Sequence, residues 1–290
     1  MGKLGYGAVV TETWSGGDAA ILVALHAYRS HSSIMEFHQQ HPDRPIALVL
    51  TGTDLYRDMA THHEVLHSME VADQLIVLQS SALDSIPPHL RHKAQVIYQS
   101  VLVDGSQVIS GLDFQVTVIG HLREEKDPFC IARSLSLMPP DSKIHIRHLG
   151  KAMNAQMELT AREYSENLER YQWIGEVSHA DTLRALSQSH LMVISSRMEG
   201  GAHVVSEAIA LGIPVIASDI PGNRGLLGDD YPGYYPLGDE AKLARLLYQS
   251  ETMPDFYASL KKHISTRKDL ISPEREMHSI QDMLIKLMKV

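Results

Sequence analysis

A single cysteine, Cys130, means that no disulfide can form within the chain, and such scarcity agrees with a reducing compartment. Cations are also in short supply. With 26 lysines and arginines against 35 aspartates and glutamates, the formal net charge is −9. Nucleic acids and anionic membranes are bound through basic faces, so neither is expected as a partner, while a local basic pocket for phosphates stays compatible. No apolar run reaches the roughly eighteen residues that span a bilayer. The N-terminus lacks the basic segment and apolar core of a signal peptide, so a soluble, cytoplasmic protein is the expectation. H-E-x-x-H and C-x-x-C spacings are missing. Among the 17 histidines, His62-His63, His89/His92 and His145/His148 have no matching carboxylate or thiolate set. No metal or other cofactor is therefore expected, and most of these histidines read as solvated surface residues. There is no low-complexity tract, and the two halves are not repeats of each other.

What is present reads as an α/β protein. The 290 residues suit two domains of ordinary size, and 44% hydrophobic with 21% charged residues is a globular composition. Apolar strands are expected at Ala20–His26, Ile46–Thr51, Leu75–Leu78 and Gln95–Tyr98, with helices near Ser32–Gln40, Leu55–Glu70 and Ser80–Ile86. A second series has strands at Gln115–Gly120, Ile144–Leu149, Tyr171–Ile174, Leu191–Ile194 and Pro214–Ala217. Its helices are expected near Asp127–Leu137, Met153–Asn167, Ala180–Gln188, Val204–Leu211 and Asp239–Gln249, and two more near Pro254–Leu270 and Pro273–Met288 close the chain. Short apolar strands alternating with amphipathic helices predict two doubly wound parallel sheets covered on both faces. Val101–Leu112, with Gly105 and Gly111, reads as the connector. The domains are then 1–108, 109–272 and a terminal helix, 273–290, that returns to the first domain and makes the cleft between them a hinge. Leu4–Gly7 looks like the end of a helix, with a strand to follow at Ala8–Thr13. The opening strand–turn–helix of a doubly wound unit is not read in the sequence, which a shortened sequence or a misplaced start explains, the alternative being a fold that does without it.

Ligands of such sheets sit beyond the carboxyl ends of the strands, so the residues that follow each strand matter most. After Leu191–Ile194 comes Ser195-Ser196-Arg197-Met198-Glu199-Gly200-Gly201-Ala202-His203, opening a helix that carries Glu207. The first turn of a helix offers free N–H groups and partial positive charge, a place for a polyol phosphate. Glu199 can accept hydrogen bonds from sugar hydroxyls, and Glu207 can grip a vicinal diol such as a ribose. After Val118-Ile119, Gly120 allows a close backbone approach, and Arg123 and Lys126 offer charge to a diphosphate. That stretch read alone is also a capped surface helix with solvated charges. The loop Ser218–Arg224, including Asn223, can close over a sugar or be an ordinary turn. At Gly175-Glu176 exposed backbone can read the edge of a base, while Trp173 reads as a core side chain. In the first half, His26 ends a buried strand, as a packing residue or as a rim group touching the reacting sugar. Thr53 and Asp54 follow the next strand, Asp54 as the N-cap for Leu55 onward or as a ligand-facing polar group.

The E-x7-E pair Glu199/Glu207, the G-x-L-x-x-x-K stretch from Gly120 to Lys126 and the run A-I-A-L-G-I-P-V-I-A-S from Ala208 resemble the retaining nucleotide-sugar glycosyltransferases of GT-B fold, the glycogen-synthase and sucrose-synthase type. The resemblance implies two Rossmann-like domains facing a cleft, with no metal. By it, Glu207 holds the ribose and Glu199 the donor sugar, and Gly200, Gly201 and Ala202 line phosphate and sugar. Lys126 lies on the diphosphate and His26 faces the donor from the first domain. His121 stands where an arginine is usual, and Thr51 where a histidine commonly precedes G-[ST]-D. A narrower likeness runs through Leu50–Asp58, Ser195–Gly201 and Pro221–Tyr234 to the selenosugar synthases of selenoneine biosynthesis. That likeness implies a UDP-sugar donor, UDP-N-acetylglucosamine, and selenophosphate as acceptor. The other readings are a hydroxyl acceptor, an epimerase of the same fold and a non-enzymatic nucleotide-sugar-binding protein.

Overall fold

A computed structural model of the protein describes residues 4–103, 105–109 and 113–288. Two compact units divide them, one of residues up to 100 together with 199–201 and 270 onward, the other of residues 101–198 and 202–269. Within the connector, the Gln107 N–H donates to the Leu211 carbonyl and the Val108 N–H to that of Ser187, which ties these two residues to the second unit. Gly111 lies outside the described residues. Among the described residues, no helix is long and apolar enough to cross a membrane.

The first unit is a four-stranded parallel sheet in sequential order, β1 (Leu22–Leu25), β2 (Ile46–Val49), β3 (Gln74–Val77) and β4 (Ala94–Val96). On one face α1 (His31–Gln40) and α3 (His63–Val71) bury Ile34, Phe37, Val65 and Met69 with Leu48 and Leu75 of the strands. On the other, α11 (Pro273–Met288) sets Met283 and Leu284 against Ala47 and Ile76. Hydrogen bonds from Ser100 to Glu276 and from Lys286 to Gln74 fix that helix in register. β1 is an edge strand, and on its outer face Val23 and Leu25 stay exposed.

Three expected elements of this unit differ. Ala8–Thr13 forms no strand, and Val9 and Val10 lie open to solvent at 90% and 95% exposure. β-Branched residues favour a pleated, half-buried surface, and this segment pairs with none. The helix expected over Leu55–Glu70 is broken into α2 (Gly52–Tyr56), a 3-10 turn at Asp58–Ala60 and α3. Arg57 leaves helical geometry there, which turns the Asp58 carboxylate inward. Ser80–Ser85 is a 3-10 helix capped by the Gln79 side chain, not an α-helix.

In the second unit six parallel strands run in the order β10-β9-β8-β5-β6-β7. They are β5 (Phe114–Ile119), β6 (Ile144–Leu149), β7 (Tyr171–Gly175), β8 (Leu191–Ile194), β9 (Val215–Ser218) and β10 (Tyr234–Tyr235). Counted from its own first strand the order is 3-2-1-4-5-6, that of the Rossmann fold, with its switch point between β5 and β8. β8 and β9 are buried throughout, as uninterrupted apolar runs in a sheet covered on both faces should be. Side chains of Asn154 and Ser178 cap α5 (Ala155–Asn167) and α6 (His179–Ser187). α7 (His203–Leu211) stops at Gly212, whose φ of 74° suits the left-handed end of a helix. The helix expected at Asp127–Leu137 is only α4 (Cys130–Ser134) followed by a 3-10 turn, because Asp127 itself is left-handed at φ 40°. α8 (Pro221–Leu227), α9 (Glu240–Thr252) and α10 (Pro254–Ser265) complete the unit.

Candidate functional site

In the second unit the loops after β5 and β8 meet at the switch point. Gly120, Lys126, Ser195 and Ser196 line a small hollow there, with His148 beneath it. The Ser195 hydroxyl lies 2.9 Å from the carbonyls of both Lys126 and Asp127, and the Arg197 N–H donates to the Glu125 carbonyl at 2.8 Å. Asp127, which sequence reasoning did not single out, is 7% exposed and pairs with Arg133 at 3.2 Å and Arg197 at 3.1 Å. These bonds hold the two loops side by side and so fix where the Lys126 ammonium starts from. Its stem passes beneath Gly120, where an added Cβ would lie 3.8 Å from Lys126 Cδ. Gly150 shows the tightest approach: its Cβ would fall 1.9 Å from the Gly120 carbonyl oxygen, so only glycine lets β6 end there. Arg123 is exposed at the start of the same turn.

Ala202 is the N-cap of α7 and its methyl side chain accepts no capping hydrogen bond, while the Val205 N–H donates to the Ala202 carbonyl at 2.8 Å. Glu207, a turn further on, is 2% exposed. Its Oε1 accepts from His179 Nε2 at 2.6 Å, and His203 Nε2 stands 3.7 Å away. Neither histidine was marked by the sequence reading. His179 opens α6 just after β7, where Gly175 has a φ of 85°. Trp173 donates from its indole to the Gly150 carbonyl and packs beside Leu122 and Phe129.

Asn223 lies in the first turns of α8. It is fully buried, and its amide donates to the Ser218 carbonyl and hydroxyl at 2.8 and 3.1 Å, so the side chain fastens α8 to the end of β9. The Ser218 hydroxyl in turn donates to the Ser196 carbonyl, which ties β9 to β8. A roomier cavity, about 340 Å³, opens at the amino ends of β5–β7. It lies at the wrong end of the sheet for switch-point chemistry, and its arginines, Arg147 and Arg170, are offset by Asp113 and Glu169.

In the first unit His26, Thr53, Asp54 and Asp58 come together. His26 has left-handed backbone, φ 73°, which is uncommon outside glycine and carries strain. Its Nδ1 lies 2.7 Å from Asp54 Oδ1, and Nε2 lies 2.9 Å from the Thr53 hydroxyl. With Nδ1–H donating to the carboxylate, Nε2 is an acceptor and Thr53 the donor. Burial of the ring lowers its pKa from the ordinary imidazole value, with the Asp54 charge acting in the opposite direction. Asp54 is wholly buried and also accepts from Tyr28 N, Thr51 N and Thr51 Oγ1. It is therefore not the N-cap. Thr51 is, and Asp54 closes a capping box from the third position of α2. His26, Asp54 and Asp58 lie close enough to surround a metal ion. Yet four protein donors already surround the Asp54 oxygens, and the donor set reads as a hydrogen-bond network.

Glu199, Gly200 and Gly201 count with this unit. A Cβ on Gly200 would fall 2.3 Å from Gly52 N, and one on Gly201 would fall 2.7 Å from Leu78 Cβ. Both glycines thus have a steric reason to be glycine. Glu199 is half-buried between solvent and this contact.

Residues 105–265 match the sequence model of the family described as glycosyl transferases group 1. The glycosyltransferase 1 domain-containing protein 1 of Xenopus tropicalis is 22% identical over 267 residues, 84% of this chain and 76% of that protein. Sucrose-phosphate synthase from Thermosynechococcus elongatus superposes with a TM-score of 0.77 at 17% identity, over 92% of this chain and 73% of that one. Anabaena HepE in complex with UDP gives 0.73 at 14% identity, over 92% and 79%. The two Rossmann-like sheets are those of the GT-B fold.

Proposed function

This chain belongs to the group 1 glycosyl transferases, and on that premise we propose that it is a retaining enzyme moving N-acetylglucosamine from UDP-N-acetylglucosamine to selenophosphate. The observation that carries a nucleotide-sugar donor is the Rossmann switch point of the second unit, where Gly120, Lys126, Ser195 and Ser196 line one hollow. HepE, of the same fold, has been captured with UDP and with UDP-glucose. The choice of selenophosphate rests on the likeness of Leu50–Asp58, Ser195–Gly201 and Pro221–Tyr234 to selenosugar synthases.

In this reading the bond between the anomeric carbon and the diphosphate oxygen breaks, a carbon–selenium bond forms, and UDP departs. Charge builds on the leaving diphosphate, and Lys126, Arg123 and the α7 amides offset it. By the resemblance Glu199 takes the donor sugar and Glu207 the ribose diol, and within the first unit Asp54 and Thr53 fix the His26 ring. Selenophosphate is already an anion and a soft nucleophile, so no strong general base is needed, and no metal is assigned a role.

The test is incubation with UDP-N-acetylglucosamine and selenophosphate, following UDP release and the mass of a selenium-containing sugar. Both should appear together and depend on Lys126. Turnover with an alcohol acceptor and none with selenophosphate would reject the acceptor assignment and leave the transferase.

A further inference from the structure

Glu207 is buried, but its hydrogen-bond partner is not. The carboxylate is 2% exposed, and the imidazole that donates to it, His179, has a side chain 68% exposed. A buried carboxylate is costly unless donors satisfy it, and an exposed donor is the kind that can leave. His203, at 3.7 Å, is outside hydrogen-bonding reach and cannot replace it without moving. With Nε2 of His179 as the protonated nitrogen, its N–H points at Glu207 Oε1 from the direction of solvent.

We infer that His179 is an internal stand-in for a ribose hydroxyl. Its N–H fills an acceptor direction that a vicinal diol takes when a nucleotide binds, so the nucleotide must first displace the imidazole. This inference rests on the nucleotide-sugar reading of the second unit and adds a specificity element to it. His179 acts on affinity through Glu207, as a positioning residue. With the imidazole in place only a fraction of molecules presents a free carboxylate, and apparent affinity falls by that fraction. The device also discriminates, because a ligand without ribose hydroxyls gains nothing from displacing the ring.

Calorimetry with UDP and with 2′,3′-dideoxyuridine diphosphate tests this on the full chain. His179→Ala and His179→Asn both remove the donor from reach of Oε1, whereas His179→Gln keeps an N–H near the same place. The first two variants should bind UDP about three- to tenfold more tightly than wild type, the range for losing one ordinary net hydrogen bond in the free state. The glutamine variant should stay close to wild type, and dideoxy-UDP should bind all four proteins alike. Unchanged or weaker UDP binding by His179→Ala overturns the inference, as does equal tightening for both ligands. Wild-type protein that binds neither nucleotide overturns the donor reading and this inference with it, which separates the two failures.

Discussion

His148 lies at the end of β6 under the switch-point hollow, 1% exposed, with Nδ1 bonded to the Tyr171 hydroxyl at 2.9 Å. Burial drives its pKa down from 6.5 to about 4. The folded protein therefore keeps this ring neutral in a pH range where the unfolded chain protonates it. Between pH 6.5 and about 4 the unfolded state binds more protons, so stability falls as pH falls, and the contribution is complete above 6.5. A displacement of that size corresponds to about 3 kcal/mol, a large part of the ~5–15 kcal/mol that holds a typical domain together. His148→Asn removes the titration and keeps a polar atom near Tyr171. It costs some packing, but by the same amount at every pH. Trp14→Phe leaves Trp173 as the one remaining tryptophan, so fluorescence in urea follows the second unit. His190, also pushed down by burial, titrates in both proteins and cancels in the comparison. From pH 7.5 to 4 the wild-type advantage over His148→Asn should shrink by about 3 kcal/mol. A difference that stays constant across that range would refute the argument, since it would mean that the ring is not held neutral by burial.

Two further substitutions separate chemistry from architecture. Lys126→Ala should lower kcat/KM for UDP release by about 10²–10³, the usual loss of one charge-stabilising group, with the urea midpoint nearly unchanged; a fall of less than about threefold would remove Lys126 from the leaving-group role. Asp54→Asn faces an amide N–H₂ toward donors that now meet a carboxylate, and should cost about 1–3 kcal/mol of stability for each donor left unsatisfied. The same change should reduce turnover by loosening His26, and an active, fully stable Asp54→Asn protein would contradict both expectations.

Much of the fold was legible where a strand is a short apolar run that stops at a polar residue, as β8 does at Ser195. Leu191–Ile194 is observed as read, and Val215–Ser218 falls within one residue of the strand expected at Pro214–Ala217. Where the reading failed, local pattern and tertiary partner disagreed. Ala8–Thr13 has strand-like residues but no neighbouring strand. Leu55–Glu70 has helical periodicity, yet Asp58 is buried beside Arg57 and His26, and turning it inward breaks the helix. Asp54 illustrates the limit of capping rules: two threonines precede a helix with an aspartate, and only the backbone decides which residue is the cap.

The site was legible in part for a similar reason. Motifs mark residues close in sequence, whereas Ser195 with Lys126, Asp127 with Arg197 and His179 with Glu207 pair segments far apart along the chain. Hydrogen-bond partners also distinguish three of the buried carboxylates, Asp54, Asp127 and Glu207, that composition treats alike. Asp54 is enclosed by four donors of its own unit, three of them from backbone or from its capping box, and has no acceptor capacity to spare. Asp127 is held by two guanidiniums and serves to join two loops. Glu207 alone among the three depends on a single hydrogen bond from a solvent-exposed ring. A ligand can compete only where the existing partner is exchangeable, and exchange is easiest for a donor that water already reaches. The first two carboxylates are thus fixed parts of the framework, and on the proposal above the third is where an incoming diol takes over a bond that the protein now makes with itself.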